Sequence, residues 1–221
     1  MRFTLSNLIA PHYCCSCGEI GSILCSYCKY NIVSEVPAVC FQCMKPVGAY
    51  GDICGECKTY YTKGWFAGYH RTAVRELIQE LKFNSNKSAG LEAALLLAES
   101  LPCLPAEVIV TNTPTVPSHT RQRGFDHTKN IAVNLARISK VKFCPALGRN
   151  HNLSQRGANR ATRLAQAKNA YVATDVQKDG RYLLIDDVST TGATLNYAAK
   201  ALVEAGAKEV WVAVVSREPL D

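Results

Sequence analysis

The chain has 221 residues, 48% of them hydrophobic and 19% charged, which suits one full α/β domain plus a smaller module and excludes a disordered chain. No apolar run reaches the roughly 18 residues that a membrane helix needs, and "MRFTLSNLIAPHYC" is too broken for a secretory leader, so a cytoplasmic protein is expected. The net charge of +7 is lopsided: residues 119–168 hold eleven Lys and Arg against the single acid Asp126, which points to a phosphate-rich partner.

Nine of the eleven cysteines fall before residue 58, and eight of them form four Cys-x-x-Cys knuckles. These are Cys14/Cys17, Cys25/Cys28, Cys40/Cys43 and Cys54/Cys57. Each knuckle turns two thiolates toward one centre, and two knuckles supply the tetrahedral sulfur set that zinc prefers. A disulfide framework would need an oxidising compartment. A redox dithiol would need one pair only. Two structural Zn2+ ions are therefore expected, paired sequentially with one per ribbon. A cross-braced pairing uses the same eight ligands. A segment this short, with few large apolar side chains, needs bound metal to fold. The expected organisation is a double zinc ribbon at 1–62 and an α/β domain at 63–221.

After "TYYTKGWFAGYH", the spacing of apolar residues in "TAVRELIQELKF" predicts an amphipathic helix. "LEAALLLAESL" predicts a second helix, and "EVIVTNTP" a strand entering a Pro-rich turn. "DHTKNIAVNLARIS" reads as a helix, and "RYLLIDDV" as a buried strand. "GATLNYAAKALVEAGA" follows as a helix, and "EVWVAVVS" as a last strand. Strands alternating with helices imply a mainly parallel sheet covered on both faces. Residues 149–163 carry four Arg without apolar periodicity, which fits a loop that closes over a phosphate-bearing ligand or a surface loop that seeks phosphate.

The chemistry concentrates in "LLIDDVSTTGATL". A strand ends in two adjacent carboxylates, Asp186 and Asp187, and small hydroxyl residues and one glycine lead into a helix. Ligands of open parallel sheets sit at such strand ends. The backbone N–H groups and hydroxyls of Val188, Ser189, Thr190, Thr191, Gly192, Ala193 and Thr194 suit a phosphate, helped by the helix dipole. The carboxylates repel that phosphate and are better placed to accept hydrogen bonds from two sugar hydroxyls. Together these features describe a ribose-5-phosphate site. A P-loop signature is absent from the sequence.

This stretch resembles the phosphoribosyl pyrophosphate (PRPP) motif of type I phosphoribosyltransferases. "RQRGFDHTKNIAVNLA", "RELIQELKF" and "SQRGANRATRLAQAKNAY", together with the preceding cysteine module, resemble the ComF/GntX branch of that family. The resemblance implies the type I phosphoribosyltransferase fold, PRPP bound with Mg2+, pyrophosphate as leaving group, and phosphoribosyl transfer to an acceptor it does not identify. Asp186 and Asp187 would orient the ribose and stabilise positive charge developing on its ring. Arg121, Arg123, Lys82 and Thr113 would receive the pyrophosphate, with "TNTPTVP" as its loop. Asp126 and His127 stand where Asn and Gln are usual. Thr190 stands where 6-oxopurine transferases carry an acid, which argues against hypoxanthine or guanine as acceptor. The resemblance also raises a second function, a competence factor that handles single-stranded DNA and meets other competence proteins.

Overall fold

The structure is a computed structural model that describes residues 12–83, 86–149 and 170–219. Its centre is a parallel sheet of five strands in the order β1-β7-β6-β2-β3. Here β1 is Lys63–Tyr69, β2 Val108–Asn112, β3 Lys142–Phe143, β6 Arg181–Ser189 and β7 Glu209–Arg217. A separate antiparallel ribbon pairs β4 (Leu147–Arg149) with β5 (Tyr171–Ala173). The helices are α1 (Ser26–Ser34), α2 (Thr72–Phe83), α3 (Lys87–Ser100), α4 (Pro117–Arg123), α5 (His127–Ser139) and α6 (Ala193–Glu204). No helix among the described residues is long and apolar enough to cross a membrane.

The period of two along each strand sorts the core into two layers. Trp65, Val110, Leu183, Ile185 and Ala213 face one side, against Leu77 of α2, Leu97 of α3 and Leu135 of α5. Phe66, Ile109, Leu184, Val212 and Val214 face the other side, against Leu195, Ala198 and Leu202 of α6. The predicted mainly parallel sheet with helices on both faces is thus present. The continuous buried runs of β6 and β7 reflect this double cover.

The cysteine module divides between the same two layers. Ile23, Leu24, Cys25 and Cys28 join the α2 and α3 layer. Val39, Phe41 and Tyr61 join the α6 layer. The two halves of the module therefore straddle the sheet at its β1 edge. The second half also covers that edge. The Gly64 N–H donates to the Gly51 carbonyl at 2.9 Å, and the Phe66 N–H donates to the Tyr50 hydroxyl at 3.2 Å. The Tyr50 hydroxyl in turn donates to the Phe66 carbonyl.

The order of strands positions the site. From β2 the chain moves outward to β3, and from β6 it moves outward to β7 on the other side. The segments leaving the carboxyl ends of β2 and β6 part at this point and leave a crevice between them.

Candidate functional site

A cleft of about 360 Å³ fills that crevice. After β2 it is lined by Thr113, Pro114, Thr115 and Val116, and after β6 by Asp186, Asp187, Val188 and Thr194. Lys82 enters from α2, His127 and Thr128 from α5, and Arg149 and Tyr171 from the β4–β5 ribbon.

The two aspartates differ in their surroundings although both are buried. Lys82 Nζ forms an ion pair with Asp187 Oδ2, and His127 Nε2 lies 3.0 Å from the same oxygen. The Val188 N–H donates to Asp187 Oδ1 at 2.7 Å. Burial alone would raise the Asp187 carboxyl, but the His127 hydrogen bond and the Lys82 charge outweigh it and hold the group well below the usual carboxylate range. Asp186 moves the other way. Burial, then the neighbouring Asp187 charge, pushes its carboxyl well above the usual range, despite the 2.9 Å bond donated by the Asp187 N–H. One acid is a fixed anion that anchors Lys82 and His127; the other presents the freer carboxyl to the cleft.

Asp126 builds the facing loop. It is the N-cap of α5 and accepts from the Lys129 N–H at 3.1 Å. The same carboxylate accepts from the Thr115 N–H at 3.2 Å and the Thr115 hydroxyl at 2.9 Å. Thr128 Oγ1 lies 2.6 Å from the Thr113 carbonyl, and Asn112 Nδ2 donates to that carbonyl at 3.1 Å. Burial raises the Asp126 carboxyl, and the Lys129 N–H, the Thr128 hydroxyl at 2.8 Å and the two Thr115 donors more than offset the effect and leave it lowered. The residue in the usual place of an Asn is therefore turned into its own protein, holding the loop after β2. His127 is 5% exposed, and its other ring nitrogen lies 3.3 Å from the Thr115 hydroxyl, so it bridges the two halves of the cleft.

The loop after β6 is held from behind. Gly192 has φ +76°, the left-handed region that glycine tolerates best, and caps α6. A Cβ there would stand 2.6 Å from Gln42 Oε1. The absence of a side chain at this position thus makes room for the cysteine module. Thr190, Thr191, Ala193 and Thr194 are exposed, Ser189 is buried, and Val188 is half-buried. Arg217, at the end of β7, is fully buried and donates to Ser189 Oγ at 3.1 Å, to the Thr190 carbonyl, and to the Gln42 carbonyl at 3.1 Å.

Of the residues proposed to receive pyrophosphate, Lys82 and Thr113 line the cleft, whereas Arg121 is exposed on α4 and stands outside the lining. The side chain of Arg123 lies outside the described residues, as do Arg156, Arg160, Arg163 and most of the basic loop. Arg149 and Tyr171 were missed. Arg149 Nε donates to the Pro114 carbonyl at 2.9 Å, and its guanidinium lies 5.2 Å from the centre of the Tyr171 ring. Nothing in their sequence context marks them, because the β4–β5 ribbon is only three residues deep on each side.

The eight expected metal ligands form two groups: Cys14, Cys17, Cys25 and Cys28, and Cys40, Cys43, Cys54 and Cys57. Within each group the sulfurs all lie within 4.8 Å of one another. A tetrahedral zinc with about 2.3 Å bonds sets its sulfurs roughly 3.8 Å apart. Cys17 and Cys25 are 3.7 Å apart, and Cys43 and Cys54 are 3.5 Å apart. The Cys25 N–H points at Cys14 Sγ at 3.4 Å and the Cys54 N–H at Cys40 Sγ at 3.3 Å, the support that thiolates need. The pairing is sequential, and there is no disulfide among the described residues.

Residues 129–219 match the phosphoribosyl transferase domain family. Across both parts, the chain is 26% identical over 194 residues to "Competence protein ComFC" of Streptococcus pneumoniae, covering 86% of this chain and 85% of that protein. Residues 129–219 thus resemble a phosphoribosyl transferase domain, and the chain as a whole is similar to ComF competence proteins. "Competence protein F" of Haemophilus influenzae is 28% identical over 207 residues, covering 86% of this chain and 88% of that one. The chain also has structural neighbours. Glutamine PRPP amidotransferase from B. subtilis matches at TM-score 0.42 and 21% identity, covering 58% of this chain and 26% of that one. Purine phosphoribosyltransferase from Pyrococcus horikoshii matches at TM-score 0.36 and 22% identity, covering 59% and 74%. The parallel sheet with its cleft at the β2–β6 divide accords with the match of residues 129–219 to the phosphoribosyl transferase domain family, and two four-cysteine ribbons precede it.

Proposed function

We propose that the ComF-type domain binds PRPP with Mg2+ in this cleft and transfers the phosphoribosyl group to an acceptor, releasing pyrophosphate. The observation that carries the reading is the convergence of the acidic pair after β6, the loop after β2 and Lys82 on one cleft at the parting of the strands. The loop from Ser189 to Thr194 takes the 5′-phosphate at the start of α6. Asp186 accepts from the ribose hydroxyls, and Asp187 does so while holding Lys82 toward the pyrophosphate side. As pyrophosphate leaves, the ring becomes cation-like, and the adjacent carboxylates favour that charge. Asp186 and the ligand's own oxygens form a hard-donor set that fits Mg2+, whose charge would offset that of the pyrophosphate when bound. Thr113 and the loop it heads belong to the pyrophosphate side, with Arg121 and Arg123 as further receivers if α4 turns inward. The test is PRPP consumption across a panel of bases and amines with isotopically labelled ligand. Failure of PRPP to bind at all in calorimetry would refute the reading.

The raised Asp186 carboxyl gives a signed pH dependence. A ligand carrying a divalent cation favours the ionised acid, so binding should release a proton, and affinity should fall as pH drops below the raised value. Calorimetry in two buffers of different ionisation enthalpy should give different heats for the wild type and equal heats for Asp186→Asn. Equal heats for both proteins would count against Asp186 as the ligand-facing acid.

We assign two structural zinc ions to the two cysteine groups, a zinc module at 1–62 ahead of a transferase domain at 63–221, and a cytoplasmic location suited to reduced thiols. Metal analysis should return close to two zinc ions per chain. A folded, fully reduced preparation without metal would overturn this assignment.

A second reading has its own observation. Lys129, Arg137, Lys140 and Lys142 are exposed along α5 and β3, at the sheet edge far from the cysteine ribbons. Together with the competence names of the relatives, this favours single-stranded DNA held through its phosphates, and a role beside other competence proteins. If all four cations meet phosphate, the log–log slope of affinity against salt should be roughly −2.8. Binding that is absent at low salt would sink this reading.

A further inference from the structure

The knuckle between Cys40 and Cys43 does more than hold two metal ligands. Its inner residues, Phe41 and Gln42, reach across to the loop that the proposed function gives to the 5′-phosphate. Gln42 Oε1 accepts from the Tyr61 hydroxyl at 2.5 Å, which leaves its amide nitrogen to donate to the Thr191 carbonyl at 3.0 Å. Arg217 lies with its guanidinium 5.3 Å from the centre of the Phe41 ring and donates to the Gln42 carbonyl, Ser189 Oγ and the Thr190 carbonyl. Its Nε finds no acceptor among the described residues. Farther along the module, the Tyr60 N–H donates to Asn196 Oδ1 in the first turn of α6, at 2.9 Å.

Peptide geometry converts these contacts into an orientation. In a trans peptide the carbonyl and the following N–H point in opposite directions. Tying the Thr190 carbonyl to Arg217 and the Thr191 carbonyl to Gln42 aims the N–H groups of Thr191 and Gly192 away from the module. Those N–H groups are the ones a phosphate needs at the entrance of α6. The knuckle can exert this hold only while its two ends are fixed, and a bound metal fixes both. A metal tetrathiolate, with net charge of about −2 for zinc, also supplies a counter-charge beside a buried guanidinium whose hydrogen-bond partners are neutral oxygens.

We infer that the second cysteine centre and the phosphate loop are thermodynamically linked, with Gln42 and Arg217 as the positioning residues, so that metal at Cys40, Cys43, Cys54 and Cys57 pre-forms the loop and a bound phosphoribosyl ligand retains that metal. The inference rests on the PRPP reading of the cleft. Linkage is reciprocal, so the effect can be read at the metal without any turnover. The first cysteine centre packs in the opposite layer of the core and serves as an internal control.

The experiment follows alkylation of individual cysteines by peptide mass spectrometry in the zinc-loaded full chain under a chelator, with and without PRPP and Mg2+. PRPP should slow alkylation of the second group about tenfold, within the usual range of coupling between two sites, and leave the first group unchanged. Ribose 5-phosphate, which lacks the pyrophosphate, should protect the same four cysteines. Gln42→Glu keeps the size and the acceptor for Tyr61 but removes the donor to Thr191, and should reduce protection to less than about twofold. Calorimetry on the same samples separates the failures. PRPP bound with no change in alkylation overturns the linkage alone, and so does equal protection of both groups. No binding of PRPP to the wild type overturns the reading of the cleft and the linkage with it.

Discussion

Asp187→Asn is expected to weaken PRPP at least tenfold, about 1.4 kcal/mol, and to destabilise the folded chain by about 2 to 3 kcal/mol. The change leaves Lys82 and His127 facing a neutral amide at a site where the aspartate side chain is 9% exposed. The stability figure is set below that of a fully buried pair because Lys82 is 22% exposed. The sign of the pH dependence follows from the lowered Asp187 carboxyl. A depressed group contributes stability that is fully present above its unfolded pKa of about 4 and is lost as pH falls toward the folded value. The wild type should therefore lose stability on acidification below about pH 4, and the Asn variant should lack that component. Denaturant unfolding at several pH values, with calorimetry for PRPP, checks both parts. Parallel acid profiles in the two proteins would refute the assigned role.

Cys25→Ser is expected to release the first metal and lower stability by about 2.5 to 4 kcal/mol, a quarter of the 10 to 16 kcal/mol typical of structural zinc. The damage should not stay within the module. Ile23, Leu24, Cys25 and Cys28 pack in the same core as Trp65, Val74 and Leu77, so β1 and α2 lose support with them. Thermal unfolding with metal analysis tests this. A variant with one zinc fewer and an unchanged midpoint would show that the metal does not support the shared core.

The strongly patterned elements were legible in the sequence. α2 occupies the predicted "TAVRELIQELKF" without change, and β6 and β7 follow their continuous apolar runs. The predicted second helix begins four residues earlier than its apolar part, because Asn86 caps it by accepting from the Ser88 N–H. "KGWFAGY" gave no strand signal: β1 is covered on both faces, so alternation is lost, and its two glycines weaken the propensity. α1 was missed because "SYCKYNIVS" has little amphipathic pattern; its placement comes from the Cys25/Cys28 knuckle and from Lys29, which pairs with Glu92 of α3 at 2.9 Å.

The candidate site divides in the same way. Asp186 and Asp187 were readable from their place at a strand end, whereas Thr113 and Lys82 were named from the family resemblance; all four line the cleft. His127, Arg149 and Tyr171 reach the cleft through tertiary placement alone. His127 in particular meets Asp187, sixty positions away in the chain, only because α5 sets the two side by side. The role of Gln42 was out of reach as well, since its partner Thr191 lies 149 positions away.

The cover over β1 has a consequence for the solution behaviour of the protein. Gly51 and Tyr50 occupy hydrogen-bonding positions on the outer side of β1 that a further strand would otherwise use. Both sit between the Cys40/Cys43 and Cys54/Cys57 knuckles, so they stay in place only while that ribbon holds its shape. Stripping the metal would uncover a nearly continuous apolar strand with free backbone donors and acceptors, an invitation to strand-to-strand association between copies. Chelated or oxidised protein should therefore self-associate and precipitate, and retained solubility becomes a simple gauge of whether the ribbon is intact.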